Sequence, residues 1–332
     1  MPIRTLELPA DLRTVAAFAP LAFQYPENKT WDVRPDEADG LVHTLNALSR
    51  LWPLIQLAQS ISPLLRDVLS GHIWEEDGKI VGLAIFQRYG ATDAWFISNV
   101  AVLFGYRRRG IGRKLLQATL DSIRRLGGKV ALLKVIAGNV PAHALYEQLG
   151  FEHYMSSVVF DYDRDELPLE SPLPHGYAVS PSSRLDWQID YRLAQRIVPA
   201  SIRRYEPVEE ARFRRAWPEH LLMPIIWKAA GVTKRRMVVR TVSDGQTIAL
   251  ATYSARTHAG GTNEIAMSLD PAHAGIAPYL MGRLIRATRR LSPGQRIKLE
   301  APQWQHMVVK AAHAAGCVKR LEQHGMGMIL SR

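Results

Sequence analysis

The chain has a single cysteine, Cys317. One thiol cannot make a disulfide framework or a cysteine-based zinc site within one chain. No run approaches the ~20 apolar residues that span a bilayer. The opening MPIRTLELPADL lacks the basic start and apolar stretch of a signal peptide, so the expectation is a cytoplasmic protein with no membrane partner. What is present is 332 residues, 47% hydrophobic and 22% charged. That is enough for a real core and, at about 150 residues per domain, for two domains.

The net charge of +11 is unevenly placed. Residues 1–166 hold 18 Lys and Arg against 19 Asp and Glu, and residues 167–332 hold 24 against 12. All of the excess lies in the second half, which raises the case for an anionic partner there against the plainer reading of a solvated surface. The seam falls in DYDRDELPLESPLPHGY, where Pro168, Pro172, Pro174 and Gly176 stop helix and strand alike. This predicts a first domain over 1–165, a linker over 166–175 and a second domain over 176–332.

In the first half the hydrophobic pattern predicts a short strand over 3–8 and broken helices over 39–69, interrupted by Pro53 and Pro63. Strands over 72–76 and 79–87 meet at the Asp77-Gly78 turn. Another strand over 94–102, a helix over 111–126, a strand over 129–136, a short helix over 141–149 and a strand over 154–162 follow. The succession predicts an α+β fold with a mixed, mostly antiparallel sheet flanked by helices. The leucine-rich stretch around Leu41, Leu45, Leu48, Trp52, Leu54, Ile55, Leu57, Ile61, Leu64 and Leu65 is either a helical layer on the sheet, the favoured reading, or an apolar acceptor pocket.

The chemistry concentrates between the 94–102 strand and the next helix, in Arg107-Arg108-Arg109-Gly110-Ile111-Gly112. Glycines let the backbone approach a ligand, and the first helical turn offers unpaired N–H groups and the positive end of the dipole. Arg113 and Lys114 add to the cationic bias. Such a turn suits phosphate oxygens. On its own it reads equally as a tight turn with solvated arginines.

The surrounding residues decide between these readings. VAVLFGYRRRGIGRKLL resembles the acetyl-CoA-binding motif of the GNAT N-acetyltransferase superfamily, Q/R-x-x-G-x-G/A after a strand, with Arg107, Gly110 and Gly112 at its defined positions. NVPAHALYEQLGF resembles the second family signature through Asn139, Tyr146, Gly150 and Phe151. Phe104 stands where many members have proline. The resemblance covers about residues 75–162.

It implies an acyltransferase that uses acetyl-CoA as co-substrate, without metal, to acetylate a primary amine by direct attack. The amides of Arg108, Arg109, Gly110, Ile111, Gly112 and Arg113 would cradle the pyrophosphate. Val100, Ala101 and Val102 would splay from residues 134–136 and pair with the pantetheine arm, with an amide near Val100 polarising the thioester carbonyl. Tyr146 would protonate the departing thiolate; its alternative is a packed core aromatic. Asn139 would orient the cofactor or cap the next helix. No carboxylate lies on the 94–102 strand to act as base. Glu75, Glu76 and Asp93 are the nearest candidates, each also readable as a solvated charge.

The second half repeats the outline. Gly275-Ile276-Ala277 lies on Gly110-Ile111-Gly112, and Gly316-Cys317 lies on Gly150-Phe151, at offsets of about 165. The chemical residues do not repeat: Ala272 stands opposite Arg107, Gln305 opposite Asn139 and Ala312 opposite Tyr146. This predicts a tandem arrangement whose second copy is degenerate, completing the structure, walling the acceptor cleft or binding a partner. His313 and Cys317 read as packed or surface residues rather than catalytic ones. Two arginine groups, Arg203, Arg204, Arg212, Arg214 and Arg215 with Tyr205 and Phe213, and Arg283, Arg286 and Arg290 on one helix face, leave a nucleic-acid-binding or CoA-responsive protein as the rival. Glu206, Glu209 and Glu210 interrupt the first group and weigh against it. A different acyl-CoA is the rival within enzymes.

Overall fold

The computed structural model describes residues 2–61, 69–183, 186–214, 217–257 and 261–330. Leu64, Leu65 and Arg215 lie outside them. In the first half the strands are β1 (Ile3–Thr5), β2 (Ser70–Glu76), β3 (Lys79–Arg88), β4 (Ala94–Val102), β5 (Val130–Ile136) and β6 (Glu152–Tyr162). Its helices are α1 (Leu12–Ala22), α2 (Pro35–Arg50), α3 (Trp52–Ile61), α4 (Ile111–Arg125) and α5 (Val140–Gln148). The second half has β7 (Tyr177–Pro181), β8 (Val232–Thr241), β9 (Thr247–Arg256), β10 (Asn263–Leu269), β11 (Ile297–Pro302) and β12 (Val318–Ile329). Its helices are α6 (Trp187–Ile197), α7 (Ala200–Arg203), α8 (Glu210–Phe213), α9 (Trp217–Ala229), α10 (Ala277–Leu291) and α11 (His306–Ala314).

Local chemistry explains most of these elements. Asp77 and Gly78 both have positive φ, 49° and 71°, the geometry of a two-residue hairpin turn between β2 and β3. Gly110 enters α4 in the left-handed region, and Ile111, Leu115, Leu116, Leu120 and Ile123 then recur at helical spacing as its buried stripe. Asn139 caps α5, its side chain accepting from the Ala142 amide at 3.3 Å. Gly150, at φ 95°, ends the same unit. The predicted opening strand is shorter than expected, and α1 was not foreseen, because LRTVAAFAPLA carries few polar residues to mark a helix face and includes Pro20.

The twelve strands form one mixed sheet in the order β1-β2-β3-β4-β5-β12-β6-β11-β10-β9-β8-β7. Among the described residues only β4–β5 and β10–β11 are parallel pairs. Read inward from either edge, each half contributes five consecutive strands and then the last strand of the other half. The two halves have exchanged β6 and β12. A pseudo-twofold axis passes between these strands, where Ser157 pairs with Gln323. Lys134 and Glu300 form an ion pair close by and are 166 positions apart, so they are mates of each other under the repeat.

The exchange carries side chains into the partner core. Val158, Phe160 and Tyr162 of β6 pack with Leu280, Leu284 and Met307 of α10 and α11. Met326 of β12 packs with Leu116, Leu120 and Tyr146 of α4 and α5. On the opposite face of the sheet, Leu12, Val15, Phe18, Leu45 and Trp52 seat α1–α3 on β2–β4. The leucine-rich stretch is therefore mainly a helical layer. Leu41 lines a cavity, and Leu54, Leu57 and Ile61 are exposed.

From β6 to β7 the chain forms neither helix nor strand. It is held along α10, where Arg286 donates to Pro168 O at 3.0 Å and Arg289 to Arg164 O at 2.7 Å. Arg283 takes the Tyr279 hydroxyl. In the other arginine group, Arg203 donates to Val198 O at 2.8 Å, and Arg212 lies over the Tyr89 ring and bonds Glu206 at 3.2 Å. Most of these cations serve the fold itself. Cys317 is buried, which pushes its thiol up to about 12, as befits a packed residue. His313 packs edge-on against Phe160.

Candidate active site

The site begins with a bulge. Ile85 pairs with Asn99 and Phe86 with Ile97, so Ser98 is an extra residue in β4. A bulge bends its strand. Parallel pairing of β4 with β5 stops at Ile97–Leu133. Beyond it Val100, Ala101 and Val102 remain on β3 but have no ladder to residues 134–136. The predicted opening is there, a V between two strands with unpaired backbone along its edge.

At the end of β4 the chain turns through residues 107–113. Arg108, at φ 67°, and Gly110, at φ 78°, both lie in the left-handed region. A left-handed residue that is not glycine is held there by its surroundings, a form of strain that clusters at binding sites. Ile111, Gly112 and Arg113 then present the first N–H groups of α4, which have no intrahelical partner. A Cβ at Gly110 would meet open space, so φ alone explains that glycine. At Gly112 a Cβ would lie 3.6 Å from Leu145 Cδ2, an ordinary contact, so packing does not require glycine there. A glycine-broken turn with free helix-start amides and four arginines around it fits a pyrophosphate.

The arginine side chains divide the work differently from the sequence reading. Arg107 is a clamp: it donates to Val102 O at 3.1 Å, Ala22 O at 3.1 Å and Gln24 O at 2.9 Å, under the Tyr25 ring. It ties the end of α1 to the end of β4. Arg109 stacks on Tyr106 and donates to Gly105 O, and Arg113 bonds Gln148. Arg108 is exposed.

The opening leads into a cavity of about 640 Å³. Asn99, Val100 and Tyr146 line it, together with Tyr25, Trp31 and Glu37 from the α1–α2 segment, and Glu264, Glu300, Arg320 and Gln323 from the second half. Tyr146 is 7% exposed and packs edge-on to Phe151. Burial, with a smaller push from Tyr25, raises its hydroxyl well above the usual range, so it holds its proton. Asn139 also lines the cavity, but its side chain is engaged in capping α5. None of the foreseen base candidates lines it. Glu75 bonds Arg4 at 3.0 Å, Glu76 bonds Trp74 Nε1 at 2.9 Å and Asp93 pairs with Lys129 at 2.7 Å.

Sequence reasoning offered the second half as a wall of the acceptor cleft but named none of these residues, because nothing local marks them. Among the carboxylates of that wall, Glu300 is half-buried; desolvation raises its carboxyl, but Lys134 and Ser157 outweigh this and hold it ionised. The Glu264 side chain is exposed, and its charge acts on Arg256. The segment above the cavity is tied by charge to the second half and to β6. Asp36 bonds Arg296 at 2.9 Å, Arg34 meets Asp161 at 3.0 Å, and Glu37 meets Arg320 at 2.8 Å and Lys298 at 3.5 Å.

Burial pushes the Glu37 carboxyl up, but Arg320 and Lys298 bring it from 4.5 to about 2. Its ionised form therefore stabilises the fold above about pH 4.5 and loses that contribution as the pH falls towards about 2. Thermal unfolding between those limits checks this. The melting temperature of wild type falls steeply on acidification, and that of Glu37→Gln starts lower and falls less.

The corresponding place in the second half is closed. β10 and β11 pair only through Ile265–Leu299 and then separate. Here the Gln305 side chain, 1% exposed, accepts from Leu269 N at 3.1 Å and donates to Leu269 O at 3.0 Å. A carboxamide of the chain itself satisfies the strand edge that a ligand amide would need. Ala312, fully buried, stands where the first half has Tyr146.

Comparison with known proteins agrees with this geometry. Residues 45–151 match the acetyltransferase (GNAT) family. This segment is a GNAT domain. Over 76 residues the chain is 40% identical to the [Ribosomal protein bS18]-alanine N-acetyltransferase of Escherichia coli, covering 23% of this chain and 50% of that protein. It is 42% identical over 89 residues to the mycothiol acetyltransferase of Corynebacterium glutamicum, 27% of this chain and 30% of that protein. The matches thus span half or less of these relatives. As a fold the likeness extends beyond the GNAT domain to the whole chain. A tandem GNAT protein from the clavulanic acid biosynthesis pathway aligns over 99% of both chains with a TM-score of 0.64 at 14% identity. A GCN5-related N-acetyltransferase from Sphaerobacter thermophilus does so over 99% of this chain and 96% of its own, with a TM-score of 0.60 at 16% identity. No helix among the described residues is long and apolar enough to cross a membrane.

Proposed function

We propose that the chain is an acetyl-CoA-dependent N-acetyltransferase with one reaction centre, built by residues 1–165 and completed by residues 176–332. The observation that carries this is the contrast between two related openings. One is lined by Val100 and Tyr146 beside the glycine-broken turn that starts α4, and at the other Gln305 bonds the strand edge at Leu269.

In this reading the amides of residues 108–113 hold the pyrophosphate, and the free edge of Val100, Ala101 and Val102 holds the pantetheine arm in place of a strand. A backbone N–H near Val100 polarises the thioester carbonyl towards attack by the amine. Tyr146, protonated and facing the cavity, gives its proton to the departing sulfur. Arg107 and Asn139 are positioning residues: one fixes the α1–α2 segment over the cavity, the other fixes the start of the helix that carries Tyr146. The acceptor is a primary amine. Supplying acetyl-CoA with a panel of alkyl, aryl and amino-acid amines and following thiol release tests the reading. Release that depends on both enzyme and amine supports it; a flat response across the panel contradicts it.

A further inference from the structure

A second cavity, of about 590 Å³, lies under α6–α8 against β10. It occupies the pseudo-symmetric position to the first cavity, and Phe96, Lys134 and Glu300 line both. The two spaces therefore adjoin at the centre of the sheet. With Gln305 filling the strand opening beside it, this space is not a cofactor groove.

Its walls are mainly apolar, among them Leu193, Ile197, Phe213, Leu250 and Trp304. Its polar groups answer one another. Glu206 accepts from Tyr89 at 2.8 Å and Tyr154 at 2.7 Å and meets Arg212 at 3.2 Å, and Asp190 pairs with Arg236 at 2.7 Å. At the junction, Lys134 and Glu300 neutralise each other and Ser157 donates to Glu300 at 2.8 Å. Such a space rewards an apolar guest, with shape and burial supplying most of the affinity. Val100 and Tyr146, the groups of the proposed reaction centre, line the first cavity and not the second. The polarity is thus set: amine towards Val100 and Tyr146, apolar body towards α6–α8.

We infer that the second cavity is a distal acceptor subsite, and that the preferred acceptor is a long amine with an aryl or alkyl body. Phe96, at the junction, stands four residues from Val100 on β4, about 13 Å at ~3.3 Å per residue. An acceptor reaching from one to the other must have at least that length. The degenerate half then has a task of its own, reading the end of the acceptor that does not react.

This rests on the proposed acetyl transfer, and the test separates the two. The probe is dansylcadaverine, an aryl sulfonamide on a five-carbon primary amine; the control is methylamine, too short to reach. Ala266 and Ser268 line the cavity on β10 with exposed side chains, so Ala266→Phe and Ser268→Phe fill it without entering the core. Wild type is expected to bind dansylcadaverine with a blue shift in emission. Both variants weaken that binding at least tenfold, leave acetyl-CoA binding unchanged and leave turnover of methylamine unchanged. Wild-type binding that survives both substitutions, or no binding by wild type, overturns the subsite. Failure of wild type to bind acetyl-CoA instead overturns the transferase reading, and is seen in a separate titration.

Discussion

Tyr146→Phe is expected to lower kcat for acetyl transfer by about 100-fold or more, the usual range for a general acid, while acetyl-CoA binds as before. The substitution removes one oxygen and keeps the ring that packs on Phe151. Because burial holds the hydroxyl protonated, wild-type activity does not fall on the alkaline side through Tyr146 at any ordinary pH. A packed aromatic with no chemical role predicts the opposite result, a variant with near-normal kcat. The split between kcat and cofactor affinity is therefore the informative readout, since a damaged fold lowers both.

The second large effect is at the turn. Gly112→Asp is expected to weaken acetyl-CoA binding by a factor of about 100 or more. Two charges of like sign a few Å apart, shielded from water, repel at a large cost. A carboxylate on the first turn of α4 faces the anion that the amides would hold, and it also competes for those N–H groups. The fold tolerates the change, because a Cβ at this position makes only an ordinary contact with Leu145. Gly112→Ala, which adds the methyl and no charge, should lose far less. Equal losses in both variants would mean that bulk and not charge decides, and the pyrophosphate would then lie elsewhere.

Much of this was legible from local chemistry. The Asp77-Gly78 hairpin, the glycine-broken turn before α4, the Asn139 cap and the helix carrying Tyr146 each depend on residues within a few positions of one another. The repeat was legible too, since an offset near 165 relates Gly150 to Gly316 and places Gln305 opposite Asn139. The exchange of β6 and β12 was not. Residues 157–162 are buried on both faces and would be in either half, so the pattern of this strand carries no address. The acceptor cavity was hidden for the same reason: Glu264, Glu300 and Arg320 are remote in sequence from Val100 and meet it only through the exchanged sheet. Gln305 was read as a lost asparagine, and only the geometry shows it closing the second opening against Leu269.

The central claim is one cofactor site, open in the first half and closed by Gln305 in the second. Calorimetric titration of acetyl-CoA into the wild-type chain tests it most directly. The account predicts one equivalent bound, abolished by Gly112→Asp in a protein that still unfolds cooperatively. Two equivalents, or one that survives Gly112→Asp, would contradict it.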